Sequence, residues 1–401
     1  MNAGFPKQTM IPHEVVNEVK INKAVYDLLE EKGTTQISRF WVDNQGGLYR
    51  RNANRRDSLA DAVAATIYRK YVSQLASNII QENISRISER RIIAAFRHML
   101  FKIKRKAYSS GRMGEEMVSG KRGWFYGWYF KCQSDTQTLA VIPAVHQTGK
   151  RRSCSIQIIT EKQSWTVPMP GKAFRRRGRM ISIGRNRFGG KGIRIAVRAP
   201  GLEIKGKLRF SDLHPLKYHI MGPFSLVPFL ECRHCIWSMR HRVNGTVSIN
   251  GEAYSFDNGE GYWEGDRGRS FPEEYVWTQC SFPGGALMLS VAHIPIAGFR
   301  FQGVIGVVLL DGREHRLATY LGAKAAVSGN GLVRVMQGSM ELEAELLEGT
   351  GKPLRAPAKG DMVRTIRESA ACRAKYRFWQ NGRTLLDFET DRASFEYEYK
   401  A

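Results

Sequence analysis

The amino-acid sequence predicts a mainly β protein: two consecutive antiparallel β-barrels or sandwiches, preceded by an α-helical N-terminal region. Three observations predict this architecture. Apolar residues recur at the helical period in residues 1–110, whereas from about residue 123 they alternate at the strand period of two. Short alternating segments then follow one another with turns between them, as in sandwiches and barrels. The 401 residues and the 42% hydrophobic share suffice for two cores.

Two amphipathic helices are expected in the N-terminal region. The first, residues 57–79, begins with DSLAD, which resembles a capping box. The second, residues 88–106, has an apolar stripe and a basic remainder. Such a helix docks onto a neighbouring domain or lies on an anionic membrane surface, and the sequence leaves both alternatives open. The polar, glycine-bearing segment 111–122 is expected to be a linker.

The clearest strands form a pair in the middle of the chain. GIRIAVRA (192–199) and LEIKGKLRF (202–210) alternate apolar and charged residues, and Pro200-Gly201 supplies a turn between them. The strand count is too high for one small barrel, so we expect one β domain at 123–250 and another at 251–401. The further predicted strands are WFYGWYFKC, TLAVIPAVH, SCSIQIIT, GTVSING, EYVWTQCSF, ALMLSVAHI, FQGVIGVVLL, REHRLATYL, LVRVMQG, MELEAELLE, ACRAKYRFW and SFEYEYK.

The formal net charge of +25 is concentrated in the middle third of the chain. Residues 121–240 carry 23 basic and 5 acidic side chains, against 20 and 12 in residues 1–120 and 19 and 20 in residues 241–401. This excess indicates either solvated strand faces or a surface that attracts a polyanion. We find no nucleic-acid-binding motif and expect no nucleic-acid partner, which leaves an anionic membrane surface as the partner to consider.

The cysteine usage and the N-terminal sequence favour an intracellular protein. The six cysteines are scattered without a disulfide framework. The N-terminus lacks a secretory layout, and the longest apolar stretch, 286–310, is broken by charged residues, proline and glycine. The expected location is the cytoplasm, in solution or peripheral to the membrane.

The segment ECRHCIW, with Cys232 and Cys235 around His234 and with His241 nearby, invites a zinc interpretation. A structural zinc site needs four ligands, usually from two knuckles, and the second knuckle is absent. We therefore expect packed thiols and no metal.

The segment EGYWEGDRGRSFP (260–272) combines carboxylates, arginines and aromatics between two predicted strands. GWFYGWYFK (123–131) packs six aromatic residues and two glycines into one strand. As structural elements, the first is a charged turn and the second a strand whose aromatics line a core or a cavity wall.

Three ordered motifs resemble the tocopherol cyclase family. They are GWYFK at 127–131, SFP followed by WTQC at 270–272 and 277–280, and GKPLRAP at 351–357. Together they cover residues 123–400 and leave out the N-terminal region. The resemblance implies two lipocalin-like β-barrels and an activity that closes a chromanol ring on a prenylated hydroquinone, with no cofactor.

This chemistry defines the candidate residues. An acid protonates the alkene, and the phenolic oxygen captures the tertiary cation, so the site needs a protonated carboxyl group and aromatic walls that exclude water. The candidate catalytic residues are Glu264, Asp266, Glu231 and His234. The candidate substrate-binding residues are Trp128, Tyr129, Tyr262, Trp263, Arg267, Trp277 and Gln279.

The sequence departs from the family pattern near the candidate acid. Tyr126 stands where the family has a glutamate before GWYFK, and Asp266 and Arg267 replace an amide and a tryptophan. An arginine beside Glu264 favours the ionised carboxylate, which predicts a more polar, anionic ligand. Two hypotheses follow: a cyclase, or a related isomerase or hydratase, acting on a lipophilic substrate, and a non-catalytic lipocalin-like protein that binds a lipid, quinone or pigment.

Overall fold

The computed structural model describes residues 40–42, 48–50, 123–226, 230–296, 299–349 and 351–399. The two expected N-terminal helices and the 111–122 linker lie outside the described residues. Single-turn 3-10 helices span Gly171–Ala173, Gly222–Leu226 and Thr319–Leu321. The strand bounds are β1 (Phe40–Val42), β2 (Leu48–Arg50), β3 (Trp124–Gln133), β4 (Thr138–Thr148), β5 (Arg151–Thr160), β6 (Ser164–Pro170), β7 (Phe174–Arg177), β8 (Met180–Ile183), β9 (Asn186–Gly189), β10 (Gly192–Ala199), β11 (Leu202–Ser211), β12 (Cys232–Ile249), β13 (Glu252–Gly268), β14 (Tyr275–Phe282), β15 (Gly285–Ile296), β16 (Phe299–Leu310), β17 (Arg313–Ala318), β18 (Lys324–Val327), β19 (Leu332–Gln337), β20 (Met340–Glu348), β21 (Lys352–Ala358), β22 (Asp361–Gln380) and β23 (Arg383–Tyr397).

The strands from β3 onward form two consecutive antiparallel sheets, which confirms the predicted mainly β class. The first sheet has eleven strands in the order β6-β5-β4-β3-β13-β12-β11-β10-β9-β8-β7. The second has ten, in the order β17-β16-β15-β14-β23-β22-β20-β19-β18, with β21 paired to β22. The first sheet continues to Gly268, past the domain boundary expected at residue 250. A separate antiparallel pair joins β1 and β2.

The expected closed barrels are not present in the described part of the chain. Closure requires the first and last strands of a sheet to pair. The end strands are β6 and β7 in the first sheet and β17 and β18 in the second, and neither pair is hydrogen-bonded. Alternating sequence predicts where strands lie, but it carries no information on whether the two ends of a sheet meet.

Each sheet packs its own apolar core. In β10 and β11 the isoleucine, valine, leucine and phenylalanine side chains are buried and the charged residues exposed, and Ile193 lies opposite Leu208 in the register, as the predicted hairpin requires. Trp128, Phe130 and Trp263 belong to the core of the first sheet. The second core is mainly aliphatic, with Tyr376 and Phe378 among its aromatic members.

Both sheets lie in one compact unit of residues 120–216, 230–294 and 302–401. A buried amide links them: Gln157 of β5 donates from Nε2 to the carbonyl of Arg355 at 2.9 Å and accepts that residue's N–H at 2.8 Å. No helix within the described ranges is long and apolar enough to cross a bilayer.

Candidate functional site

Strand β13 presents a polar face and an aromatic face. Side chains alternate along a strand, so Tyr262, Glu264 and Asp266 share one face, and Trp263 and Gly265 share the other. The segment EGYWEGDRG is therefore part of a strand that pairs on both sides, and it is not a charged turn.

The neighbouring strands extend the polar face. Tyr129 and Lys131 of β3 lie opposite Glu264 and Tyr262, and His234 of β12 lies opposite Asp266. Directly opposed residues of an antiparallel pair project from the same face. Except for Asp266, which is partly exposed, these side chains are buried.

His234 lies between two carboxylates. Its Nδ1 is 3.0 Å from Oδ1 of Asp266, and its Nε2 is 3.1 Å from Oε2 of Glu264. Burial lowers the pKa of His234, but the charges of Glu264 and Asp266 outweigh burial and raise it to about 10. The ring is therefore an imidazolium at neutral pH, and it neutralises one of the two negative charges.

One carboxylate oxygen of Glu264 accepts hydrogen bonds from residues of both sheets. Oε2 accepts the hydroxyl of Tyr262 at 2.5 Å and the indole N–H of Trp277, in β14, at 3.2 Å. Burial and the charge of Glu264 raise the pKa of Tyr262 well above its usual value. Glu264 is thus held as an acceptor of hydrogen bonds.

The second sheet contributes a pair of buried carboxyl groups. Glu368 of β22 and Glu396 of β23 lie directly opposite each other, with 1% and 8% of their surfaces exposed. Their carboxyl groups interact electrostatically, and the hydroxyl of Tyr275 donates to Oε2 of Glu396. Oε1 of Glu368 is buried and has no hydrogen-bond partner among the described residues.

Burial is the main cause of the altered acidity of this pair. It raises the pKa of Glu368 to about 7. It raises the pKa of Glu396 well above its usual value, and the charge of Glu368 adds to the effect. Like charges so close together cannot both form readily, so the pair retains a proton at neutral pH.

The carboxyl pair and Glu264 belong to one buried cluster between the sheets. Glu396 lies opposite Trp277 in the β14–β23 register, and the rings of Trp277 and Tyr129 meet edge to face with centroids 5.4 Å apart. Burial and the charge of Glu368 raise the pKa of Tyr129, whose hydroxyl lies 3.3 Å from Oγ of Ser394. The name "acidic cluster" is used below for Tyr129, His234, Tyr262, Glu264, Asp266, Tyr275, Trp277, Glu368 and Glu396.

Lys131 and Gln279 border the acidic cluster. Lys131 donates from Nζ to the carbonyl of Arg392 at 2.8 Å, and burial lowers its pKa to about 8. Gln279 is fully buried, and its Oε1 lacks a hydrogen-bond partner among the residues described. Both side chains therefore place polar atoms in the buried interior, away from solvent.

Four predicted site residues lie elsewhere. Trp128 and Trp263 are on the opposite face of the sheet, with ring centroids 5.2 Å apart, inside the first core. Arg267 projects from that same face, beside Tyr126 in the register, and so does not flank Glu264. Glu231 precedes β12, and its carbonyl accepts the N–H of Arg269 at 2.7 Å.

The sequence motifs are neighbours in space. GWYFK is part of β3 and pairs with β13, while WTQC is part of β14 and brings Trp277 to Tyr129. The N–H of Phe271, in SFP, donates to the carbonyl of Pro357, the last residue of GKPLRAP, at 3.1 Å. Two of these segments thus contribute residues to the acidic cluster, Tyr129 from GWYFK and Trp277 from WTQC. The other two, SFP and GKPLRAP, contact each other.

The sequence reasoning missed Glu368, Glu396 and Tyr275. A signal for Glu368 exists: every second residue from Ile366 to Phe378 is buried, and Glu368 occupies one of these inward positions. A glutamate at an apolar position of an alternating strand indicates a buried acid. Glu396 has no such signal because β23 does not alternate cleanly.

His234, Glu264 and Asp266 also form a set of atoms that could hold a metal ion, since their ligand atoms lie within 4.8 Å of one another. Metal binding requires a neutral ring nitrogen, and here both nitrogens contact carboxylates in an imidazolium. An ion would have to displace that proton. Cys232 lies beside the set, with its thiol 3.4 Å from Oδ1 of Asp266.

No protein-family model matches the chain, and no curated protein matches it. Among solved structures, the chain is similar to an ATTH-like protein from Nitrosomonas europaea, at 10% identity and a TM-score of 0.43, over 72% of this chain and 96% of that one. It is also similar to kievitone hydratase from Nectria haematococca, at 9% identity and a TM-score of 0.41, over 69% and 88% of the two chains. CghA in complex with Sch210972 gives 9% identity and a TM-score of 0.45 over the same shares. Likenesses at this level assign no function.

Proposed function

We propose that this protein is an acid-catalysing enzyme that cyclises, isomerises or hydrates a lipophilic alkene, with a prenylated aromatic compound as its substrate class. The observation that carries the proposal is the buried pair Glu368 and Glu396. The three ordered motifs that resemble tocopherol cyclases support the same chemistry. The net reaction conserves electrons, so it needs no redox cofactor.

Glu368 is the proton donor in this proposal. Its ordinary pKa of 4.5 would leave almost no protonated acid at neutral pH, whereas a pKa of about 7 leaves about half. A general acid works best when its pKa lies near the working pH. The free Oε1 is the atom from which a proton can pass to a substrate carbon, since the described residues offer that oxygen no competing partner.

Cyclisation returns the proton to Glu368 and needs no co-reactant, whereas hydration consumes one water molecule. The alkene takes the proton from Glu368 and becomes a tertiary cation, while Glu368 becomes a carboxylate. A substrate hydroxyl then forms the new C–O bond and returns its proton to Glu368. If water forms that bond instead, it returns one of its protons to Glu368, and the product is a tertiary alcohol.

Aromatic rings and a fixed carboxylate stabilise the cation. The faces of Trp277 and Tyr129 carry negative potential and do not react as nucleophiles. Glu264 orients Trp277 through the 3.2 Å hydrogen bond and adds a negative charge close to the rings. In this role Glu264 is a positioning residue, and His234 contacts the same carboxylate oxygen at 3.1 Å.

The direct test incubates the protein with a panel of prenylated hydroquinones and related prenylated phenols, and identifies the products by mass spectrometry. We expect turnover by the wild type, a loss of at least about a hundredfold for Glu368→Gln, and a smaller loss for Glu264→Gln. Glu343→Gln is the matched control, because Glu343 is a buried glutamate of the second sheet that pairs with Arg334 and Arg377 outside the acidic cluster.

Equal activity of wild type and Glu368→Gln would contradict the proposed donor. No turnover by either protein across the panel would contradict the enzyme hypothesis. If native mass spectrometry of the same preparation then shows a retained lipophile, the binding-protein hypothesis takes its place.

A further inference from the structure

The last five strands of the first sheet carry a row of basic side chains on their exposed face. In the register, Arg187 lies opposite Arg194, and Arg194 lies opposite Lys207. Arg175 continues the row through Ser182, which faces both Arg175 and Arg187. Arg175, Arg187, Arg194 and Lys207 are all exposed, and they are called the cationic row below.

The cationic row is not balanced by acidic residues. Residues 171–211 contain thirteen lysines and arginines and one acidic residue, Glu203. That glutamate already pairs with Arg198 at 2.5 Å. Like charges directly opposite each other destabilise a sheet. A row of three consecutive opposed cations therefore works against folding, which is typical of a surface kept for binding.

The dimensions of the row suit an extended anionic partner. Neighbouring strands lie about 4.8 Å apart, so five strands place the row over about 19 Å. Arg209 and Lys205 lie two positions to either side of Lys207 on the same exposed face. The positive charge is thus spread over a two-dimensional area, in contrast to a pocket for one phosphate.

Two observations favour a lipid surface over a nucleic acid. The aromatic residues of this segment, Phe174, Phe188 and Phe210, are buried, so the face offers no ring on which bases could stack. Met180, one of the exposed large apolar side chains, lies at the β7–β8 turn next to Arg179. A basic segment with an exposed apolar side chain matches the headgroup and acyl layers of a bilayer.

We propose that the cationic row docks this protein onto an anionic lipid bilayer, with the β7–β8 turn facing the membrane. Lysine and arginine side chains bind anionic headgroups through charge, and Met180 reaches the boundary of the acyl chains. This inference goes beyond the proposed chemistry.

The test measures binding of the full chain to vesicles by co-sedimentation. The vesicles contain phosphatidylcholine alone or with about 30 mol% phosphatidylglycerol, at about 0.1 M salt. We expect binding only to the anionic vesicles, and about a hundredfold weaker partitioning for the Arg187→Gln, Arg194→Gln, Lys207→Gln triple variant, since each side chain contributes about fivefold. The thermal midpoint of the variant should not fall, because the substitutions remove opposed like charges.

The matched control is the Arg313→Gln, Lys324→Gln, Arg383→Gln triple variant. It removes the same charge from exposed positions of the second sheet. Equal losses in both triple variants would show that net charge alone drives binding and would overturn the proposal. Unchanged binding of the row variant, or no binding of the wild type to anionic vesicles, would also overturn it. So would displacement of the protein from vesicles by a small excess of duplex DNA over lipid charge.

Discussion

Trp277 of the second sheet donates its indole N–H to Glu264 of the first sheet at 3.2 Å, and both side chains are buried. This hydrogen bond joins the two sheets at the acidic cluster. It fixes the ring of Trp277 where it meets Tyr129, and it satisfies one lone pair of a carboxylate that water cannot reach. The predictions below test this arrangement.

Removing the donor of that hydrogen bond should weaken the fold. Trp277→Phe keeps an aromatic ring but loses the N–H, and a hydrogen bond to a charged group contributes about 2 kcal/mol. We expect the free energy of unfolding in urea to fall by about that amount. Trp379→Phe, at a partly exposed position, is the control and should cost less than half as much. Equal losses would mean that the bond to Glu264 adds nothing beyond ring packing.

The charge of His234 should make stability fall as the pH rises. Its folded pKa of about 10 exceeds the ordinary 6.5, so the folded state holds the extra proton between these values. The stabilisation is complete below pH 6.5 and is lost as the pH rises through about 10. His234→Gln should remove this slope and destabilise the protein by about 3–5 kcal/mol at pH 7, because buried Glu264 and partly exposed Asp266 then lack their cation.

His241 provides the control of opposite sign. Burial lowers its pKa to about 3, so the unfolded state binds the proton between pH 3 and 6.5. Stability in that range should therefore rise with pH, and His241→Gln should remove only that acidic slope. Urea titrations at several pH values measure both slopes. An unchanged alkaline slope in His234→Gln would contradict the imidazolium between Asp266 and Glu264.

Neutralising Glu368 should stabilise the protein at alkaline pH. Because the folded pKa is about 7 instead of 4.5, ionisation of Glu368 is disfavoured in the folded state, and stability is lost as the pH rises through about 7. Glu368→Gln should be about 1–3 kcal/mol more stable than the wild type at pH 8 and similar to it at pH 4. A variant that is less stable than the wild type at pH 8 would show that the charge of Glu368 is compensated.

A side chain at Gly265 should clash with the neighbouring strand β3 and destabilise the protein. A Cβ there would lie 2.5 Å from Cδ1 of Trp128 and 2.9 Å from the carbonyl of Gly127. Gly265→Ala should lower the free energy of unfolding by about 1–3 kcal/mol through overpacking. Gly329→Ala is the control, since no atom lies within 4 Å of a Cβ at that position. Comparable stability of the two variants would contradict the tight packing of Trp128 on β13.

The strands could be predicted from the sequence because the alternation of apolar and polar residues is a local property. The predicted hairpin at 192–210 is present as β10 and β11, with the large apolar residues buried and the charged ones exposed. That the sheets stay open could not be predicted, since pairing between distant strands depends on the whole path of the chain. For the same reason, the pairing of β13 with β3 could not be read from EGYWEGDRG.

The candidate site could be predicted from the sequence in part. The sequence drew attention to Glu264, Asp266, His234, Tyr262 and Trp277, and the fold brings these residues together. It also grouped Trp128 and Trp263 with them, because neighbours in sequence were treated as neighbours in space. Alternation sends these two rings to the other face. Glu396 lies more than 100 residues from Glu264, and only the fold connects them.

The two faces of β13 place an evolutionary constraint on this stretch. Insertion or deletion of one residue between Tyr262 and Asp266 would move Trp263 among the carboxyl groups and push Glu264 into the aromatic core. Such a change would disrupt both the acidic cluster and the aromatic core at once, whereas a single substitution disrupts only one of them. Homologues of this protein should therefore vary in residue type along this stretch while keeping its length, and gaps in an alignment should fall in the turns on either side.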